Sequence, residues 1–263
     1  VQVIAHRGNN KEALENSFTA YDLAVDCGAV RIELDVQMTR DGHPVINHDD
    51  HLGHTTGQNL SCSQLDRADF HRVQLLNGES VPFLDQVLER YLPKIELNIE
   101  IKGNRRDSAE AVVRLLKQNH YRERVIVSSF CPEPLLCMME KASDIKRACL
   151  VGDDELPWPF FSHMAPLNFM TMVNASILHP RFTQVSESMM DQARARRWKV
   201  YTWATMVGED SSKEAHWVYL KSLGVDGHCT NYPREMILWL QESESYERKF
   251  NNLVTSTQYS YTP

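Results

Sequence analysis

No run in this chain approaches the ~18 consecutive apolar residues that a membrane-spanning helix requires, and no such span is expected. Dense basic clusters are nearly absent. The net charge is -7, and Arg194-Ala195-Arg196-Arg197 is the one concentrated basic run. Nucleic acid is therefore excluded as the main partner, and that run reads as a helix end complementing its own dipole. Cys27, Cys62, Cys131, Cys137, Cys149 and Cys229 form no CxxC pair and no metal-finger spacing. Cys149 and Cys229 lie in apolar, strand-like runs, where a free thiol behaves as a small hydrophobe. This usage fits a reducing compartment, and a cytoplasmic location is the expectation. No signal peptide is visible, although a start at Val1 is also what a removed leader would leave. There is no internal repeat.

What is present is an ordinary globular composition, 42% hydrophobic and 24% charged, over 263 residues. One α/β barrel of about 250 residues fits that length as well as two average domains do. The most informative stretch runs from Arg31 to Asp49. Ile32, Leu34, Val36 and Met38 alternate with Arg31, Glu33, Asp35, Gln37 and Thr39, the period of a strand with one apolar face. Asp41-Gly42 then supplies the dipeptide of a two-residue hairpin. Such a loop pairs Arg40 with His43, Met38 with Val45 and Asp35 with His48, and so sets an imidazole beside two carboxylates. Alone, a charged strand face is usually solvated surface. A second strand changes that reading: Ile95, Leu97, Ile99 and Ile101 alternate without exception with Glu96, Asn98, Glu100 and Lys102. In a parallel barrel the apolar face suits the surrounding helices, which turns the charged face inward toward the C-terminal mouth.

Taken in order, the sequence predicts strands at 3–5, 31–36, 94–102, 124–129, 146–151, 176–179, 199–204 and 225–230. Helices are expected at 13–27, closed by Gly28, and at 83–91, 107–119, 134–142, 186–197, 211–223 and 233–242. The stretch 156–172 leans helical. Setting the hairpin aside, strands and helices alternate as in a (β/α)8 TIM barrel, a single domain over 1–263. A loop-rich insertion at 49–82 lies after the second strand, in the position of a lid, and 243–263 reads as a tail.

Three inward carboxylates repel one another unless a cation or protons compensate. Oxygen-only ligands suit one hard divalent ion, Mg2+ or Ca2+, rather than zinc. Two histidines, an arginine and a lysine around that ion form the inventory that phosphoryl transfer requires: positioning, charge neutralisation and proton delivery. The run His48-Asp49-Asp50-His51 invites a transition-metal reading, but Asp50 and His51 fall beyond the hairpin. His54, His71, His120, His163, His179, His216 and His228 read as surface or packing residues, and Phe160-Phe161 and Met170–Met172 as core or pocket wall.

Ala5-His6-Arg7-Gly8, Leu14-Glu15-Asn16-Ser17, Glu33-Leu34-Asp35, Thr39-Arg40-Asp41-Gly42, His48-Asp49 and Glu100-Ile101-Lys102 follow one another in a specific order. With Tyr201-Thr202-Trp203 and Val225-Asp226-Gly227, this series resembles the motifs of the glycerophosphodiester phosphodiesterase family, from Ala5 to about Pro233. The resemblance implies a divalent ion on Glu33, Asp35 and Glu100, and His6 with His48 as the acid–base pair. It also implies phosphate contacts from Arg7 and Lys102, with Trp203 walling the glycerol or head group. The implied substrate is a small glycerophosphodiester, cleaved to glycerol 3-phosphate and an alcohol. Attack by the glycerol 2-hydroxyl, giving a cyclic intermediate, and direct attack by water both stay open. The chain departs from the family pattern at Leu14, where proline is usual, at Ser17 for threonine and at Asn231 for aspartate; none is an expected metal ligand. Two alternatives remain beside this reading: a phospholipase D-type barrel acting on lysophospholipids or sphingomyelin, and a barrel that binds phosphodiesters without turnover. The oligomeric state is not readable from the sequence.

Overall fold

A computed structural model describes residues 1–152, 166–204 and 213–258, with side chains in the last helix described up to 245. Strands β1 (Gln2–Ala5), β2 (Arg31–Met38), β4 (Glu96–Ile101), β5 (Val125–Ser129), β6 (Lys146–Val151), β7 (Ile177–Pro180), β8 (Lys199–Trp203) and β9 (Gly227–Thr230) form a ring. Each pairs in parallel with its neighbours, and β1 pairs with both β2 and β9, which closes the barrel. The odd member is β3 (Pro44–Ile46), antiparallel to the upper end of β2.

Helices follow the strands: α1 (Phe18–Asp26), a single turn α2 (Gly53–Thr56), α3 (Leu84–Tyr91), α4 (Arg106–Lys117) and α5 (Pro132–Lys141). Beyond them come α6 (Pro166–Met172), α7 (Glu187–Ala195), α8 (Lys213–Leu223) and α9 (Pro233–Gln258). No described helix is long and apolar enough to cross a membrane.

The two alternating strands behave as their pattern requires. Ile32, Leu34, Val36, Leu97, Ile99 and Ile101 point outward into a continuous apolar layer with Leu84, Val87, Val112 and Leu116 of the helices. Inside the ring the lower filling is Ile4, Ile126, Ala148, Ile177, Tyr201 and Cys229. At the barrel floor Arg31 pairs with Glu96 and lies over the Tyr201 ring.

Several sequence-based boundaries shift. The hairpin loop has three residues, not two: Met38 pairs with Pro44, Gln37 with Val45 and Val36 with Ile46. The Thr39 amide donates to the His43 carbonyl at 3.0 Å, leaving Arg40, Asp41 and Gly42 as the loop, with Gly42 at φ +81°. A left-handed glycine closing a three-residue loop is a standard hairpin solution, and Asp-Gly serves it as well as the shorter turn. The expected pairs Arg40–His43, Met38–Val45 and Asp35–His48 are therefore displaced by one residue; the Asn47 amide, not His48, lies against Asp35, donating to its carbonyl at 3.2 Å.

Helix α1 starts at Phe18 rather than Ala13, because Ser17 caps it by accepting from the Ala20 amide. Helix α9 continues past Glu242 to Gln258, so most of the stretch read as a tail is helical. Of the ambiguous stretch, Pro166–Met172 is helix, Met170 lies in the outer core, and 156–165, with Phe160, Phe161 and His163, lie outside the described residues.

The insertion carries its own small core of Leu52, Cys62, Phe70, Val73, Leu75 and Val81 against Val45 and Phe83. Glu79 ties it to the barrel by accepting from the Phe18 amide at 2.8 Å and the Thr19 hydroxyl at 2.5 Å. All six cysteines are free thiols.

Candidate active site

The C-terminal ends of β1, β2, β4 and β9 converge on one group of side chains. Glu33 and Asp35 come from β2 and Glu100 from β4, where Asp35 and Glu100 are register partners. One carboxylate oxygen from each lies within 4.8 Å of the others, and all three residues are buried. Strand period explains the convergence: residues two apart on β2 share the inward face with their partner on β4.

The loop between β1 and α1 delivers the rest. Arg7 and Asn16 adopt left-handed backbone angles, φ +53° and +56°. Gly8, at φ +83°, packs so closely that a Cβ there would sit 2.7 Å from the Ala20 carbonyl carbon. This tight path turns Glu15 and Asn16 into the site. Arg7 Nη1 donates to both Glu15 oxygens at 2.9 Å, its Nε lies 3.2 Å from Asp35 Oδ2, and its amide donates to Glu33 Oε2 at 3.0 Å. Asn16 donates to Asp35 at 2.9 Å and accepts from the buried Tyr21 hydroxyl. Lys102 Nζ is 2.8 Å from Asp35 Oδ1 and 2.6 Å from Glu100 Oε1.

His6 continues the line of β1, its amide donating to the Thr230 carbonyl. Its Nδ1 is 2.7 Å from Asn231 Oδ1, which also accepts from the Asn10 amide group at 2.8 Å. An amide oxygen only accepts, so Nδ1 carries the proton and Nε2 presents its lone pair, 3.9 Å from Glu33 Oε2. His48 arrives as a loop residue beyond β3, its carbonyl held by the Gln37 amide group at 2.8 Å and its Nδ1 2.7 Å from Asp49. It is close enough to act electrostatically on Asp35 and His6. Trp203 stands at the end of β8, its indole donating to the Val151 carbonyl at 3.1 Å and meeting Phe130 edge-on at 5.5 Å.

Charge explains how so polar a cluster stays buried. Burial, with Asp35 and Glu100 beside it, pushes the Glu33 carboxyl well above its ordinary range. Burial also works against charge on Asp35, but Lys102 and Arg7 outweigh it and hold that carboxyl below the usual range. Lys102 is likewise raised, since Asp35 and Glu100 overcome its desolvation. Burial, then Arg7, drives His6 down to about 3, so its imidazole is neutral at physiological pH.

Glu15, Glu33, Asp35 and Glu100 face only two permanent cations, Arg7 and Lys102, within these contacts. With all four ionised the shortfall is two positive charges, and the raised Glu33 carboxyl is its symptom. Glu33 Oε1 is buried with no hydrogen-bond partner. An ion bound at ~2.0–2.6 Å from each oxygen fits between ligands of this separation. Glu33, Asp35 and Glu100 could thus hold a divalent metal.

All eight residues singled out from the sequence reach this end of the barrel. His48 does so by a route other than opposition to Asp35, and Trp203 stands across the mouth from the carboxylates. Sequence reasoning gave no site role to Glu15, Asn16 or Asn231. A capping reading of Ser17 would have moved the first two out of the helix and into the loop. Of the histidines read as packing, His179 is buried inside the barrel, edge-on to Tyr201, and burial lowers it to about 3.

Comparison with known proteins identifies the family. The glycerophosphoryl diester phosphodiesterase family model matches residues 6–235. A glycerophosphodiester phosphodiesterase of Caldanaerobacter subterraneus subsp. tengcongensis is 30% identical over 247 residues, 89% of this chain and 96% of that protein. A mouse lysophospholipase D is 34% identical over 276 residues, covering 89% of this chain and 84% of its own. An Oleispira antarctica phosphodiesterase, solved with the product sn-glycerol-3-phosphate, superposes with a TM-score of 0.78 at 24% identity, over 92% of this chain and 97% of that one. A closed eight-stranded ring, buried carboxylates at its mouth and a match over most of the chain make one statement: this protein belongs to the glycerophosphoryl diester phosphodiesterase family.

Proposed function

We propose that the chain hydrolyses small glycerophosphodiesters to glycerol 3-phosphate and an alcohol, with one Mg2+ or Ca2+ on Glu33, Asp35 and Glu100. The observation that carries this reading is the buried carboxylate cluster, short of two positive charges, beside a neutral histidine of fixed tautomer. When bound, the cation neutralises the cluster and polarises the phosphoryl oxygens.

His6 Nε2 acts as the general base. It takes the proton of the attacking hydroxyl, either the glycerol 2-hydroxyl or water, while Asn231 keeps Nδ1 protonated and turned away. His48, half exposed at the rim, delivers a proton to the leaving alkoxide oxygen as the P–O bond breaks. Where the 2-hydroxyl attacks, water then opens the cyclic phosphate with the two roles exchanged, so either route consumes one water. Lys102 stabilises charge on the phosphoryl oxygens as a point cation, and Arg7, anchored by Glu15 and Asp35, adds its remaining donors. Trp203 walls the organic part of the substrate.

The test is release of glycerol 3-phosphate from glycerophosphocholine, followed by phosphorus NMR with EDTA and then with each cation added back. Loss and recovery of turnover are expected; turnover that persists without metal overturns the reading. The likeness to a lysophospholipase D makes acylated substrates the second reading, and a panel with and without acyl chains separates the two.

A further inference from the structure

Around the eight-stranded ring, β7 lies four strands from β2 in either direction, so the end of β7 faces the carboxylate cluster across the mouth. The residue there is Arg181. Its amide donates to the Val151 carbonyl at 3.1 Å, it bridges to Trp203 in parallel register, and its guanidinium lies 6.0 Å from the centre of the Trp203 ring. Trp203 is held in that position by its bond to the Val151 carbonyl and by Phe130 edge-on against it. The other arginines of the barrel interior are neutralised: Arg7 by Glu15 and Asp35, Arg31 by Glu96. Among the described residues no carboxylate pairs with Arg181, and its buried Nε has no hydrogen-bond partner.

We propose that Arg181 is a specificity-determining residue, selecting glycerophosphodiesters whose alcohol carries a further negative charge. This rests on the hydrolase reading above. With the phosphate at the carboxylate cluster and the glycerol end beside His6, the alcohol crosses toward β7 and β8. An aromatic face alone would attract a quaternary ammonium. Here a guanidinium already lies over that face, so a choline group meets repulsion while an anionic group finds both charge and donors.

The experiment compares kcat/KM for glycerophosphocholine, glycerophosphoglycerol and glycerophosphoinositol 4-phosphate in the wild type and in Arg181→Lys, Arg181→Gln and Arg181→Glu. The wild type should favour the phosphorylated inositol over choline by about tenfold or more, a preference that shrinks as salt screens the charge. Arg181→Gln should lose that preference mainly through KM on the anionic substrate while the choline rate rises. Arg181→Glu should invert it, and Arg181→Lys should retain part of it. An equal fall on all three substrates, or no change, overturns the role of Arg181. Absence of turnover by the wild type on every substrate overturns the hydrolase reading and this inference with it.

Discussion

Strands β2 and β4 have two faces that follow different rules. Outward, Leu34, Leu97 and Ile99 are fully buried in an apolar layer with the helices, where packing is close. Inward, on the same strands, Glu33, Asp35 and Glu100 are almost as buried but held against their own repulsion by Arg7 and Lys102. One face makes the barrel; the other is tolerated by it. Substitution should therefore separate stability from chemistry according to the direction in which a side chain points.

The largest effect is expected at the inner face. Glu33→Gln should lower kcat/KM by at least ~100-fold, because it removes a proposed metal ligand. The unfolding midpoint of the metal-free protein should hold or rise, since burial and two neighbouring carboxylates already penalise this charge. A marked loss of metal-free stability would break the contrast. Next come the imidazoles: His6→Ala and His48→Ala should each cost ~100-fold or more. Asn231→Ala should cost roughly 10–100-fold by releasing the His6 tautomer, visible as a changed pH–rate profile at unchanged thermal stability.

At the outer face Leu97→Ala should destabilise by about 2–5 kcal/mol in a urea melt, while kcat/KM per folded molecule stays at the wild-type value. The smallest effect sharpens the comparison through pH. His6 and His179 are buried neutral, both lowered to about 3 from an ordinary value of 6.5. Between those values the unfolded chain binds protons that the folded one does not, so stability rises with pH across the window and is lost as pH falls through it. His179, lowered by burial and further by His228, Arg31 and His6, is the one to remove: His179→Leu should make the acid-side decline in urea midpoint shallower. An unchanged slope would place the acid sensitivity elsewhere.

The outer face is also the part of the molecule that could be read in advance. The succession of strands and helices along the chain gives the barrel, and strict alternation in Glu96–Ile101 and Arg31–Met38 then says which side chains meet the helices and which carboxylates turn inward. Turn chemistry is less decisive. Asp41-Gly42 suits loops of two and of three residues, and one residue of register separates His48 from Asn47 as the neighbour of Asp35. Ala13 to Asn16 has helical composition, but the Ser17 cap and the left-handed angle at Asn16 keep it out of the helix, so the contacts of Glu15 and Asn16, known from the sequence only as part of a motif, became visible only in the fold. Asn231 was noticed only as a departure from the family pattern, because no local periodicity says that the residue after β9 meets the residue after β1. That pairing is a product of ring closure.

Glu79 gives the insertion a mechanical meaning. Its carboxylate occupies the first amides of α1, directly downstream of the loop that carries Arg7 and Glu15. Trimming or exchanging the insertion between relatives would therefore unmoor the start of that helix and loosen, from behind, the loop between β1 and α1. A chimaera that keeps this one anchoring acid should hold its shape far better than one that keeps only the length of the segment.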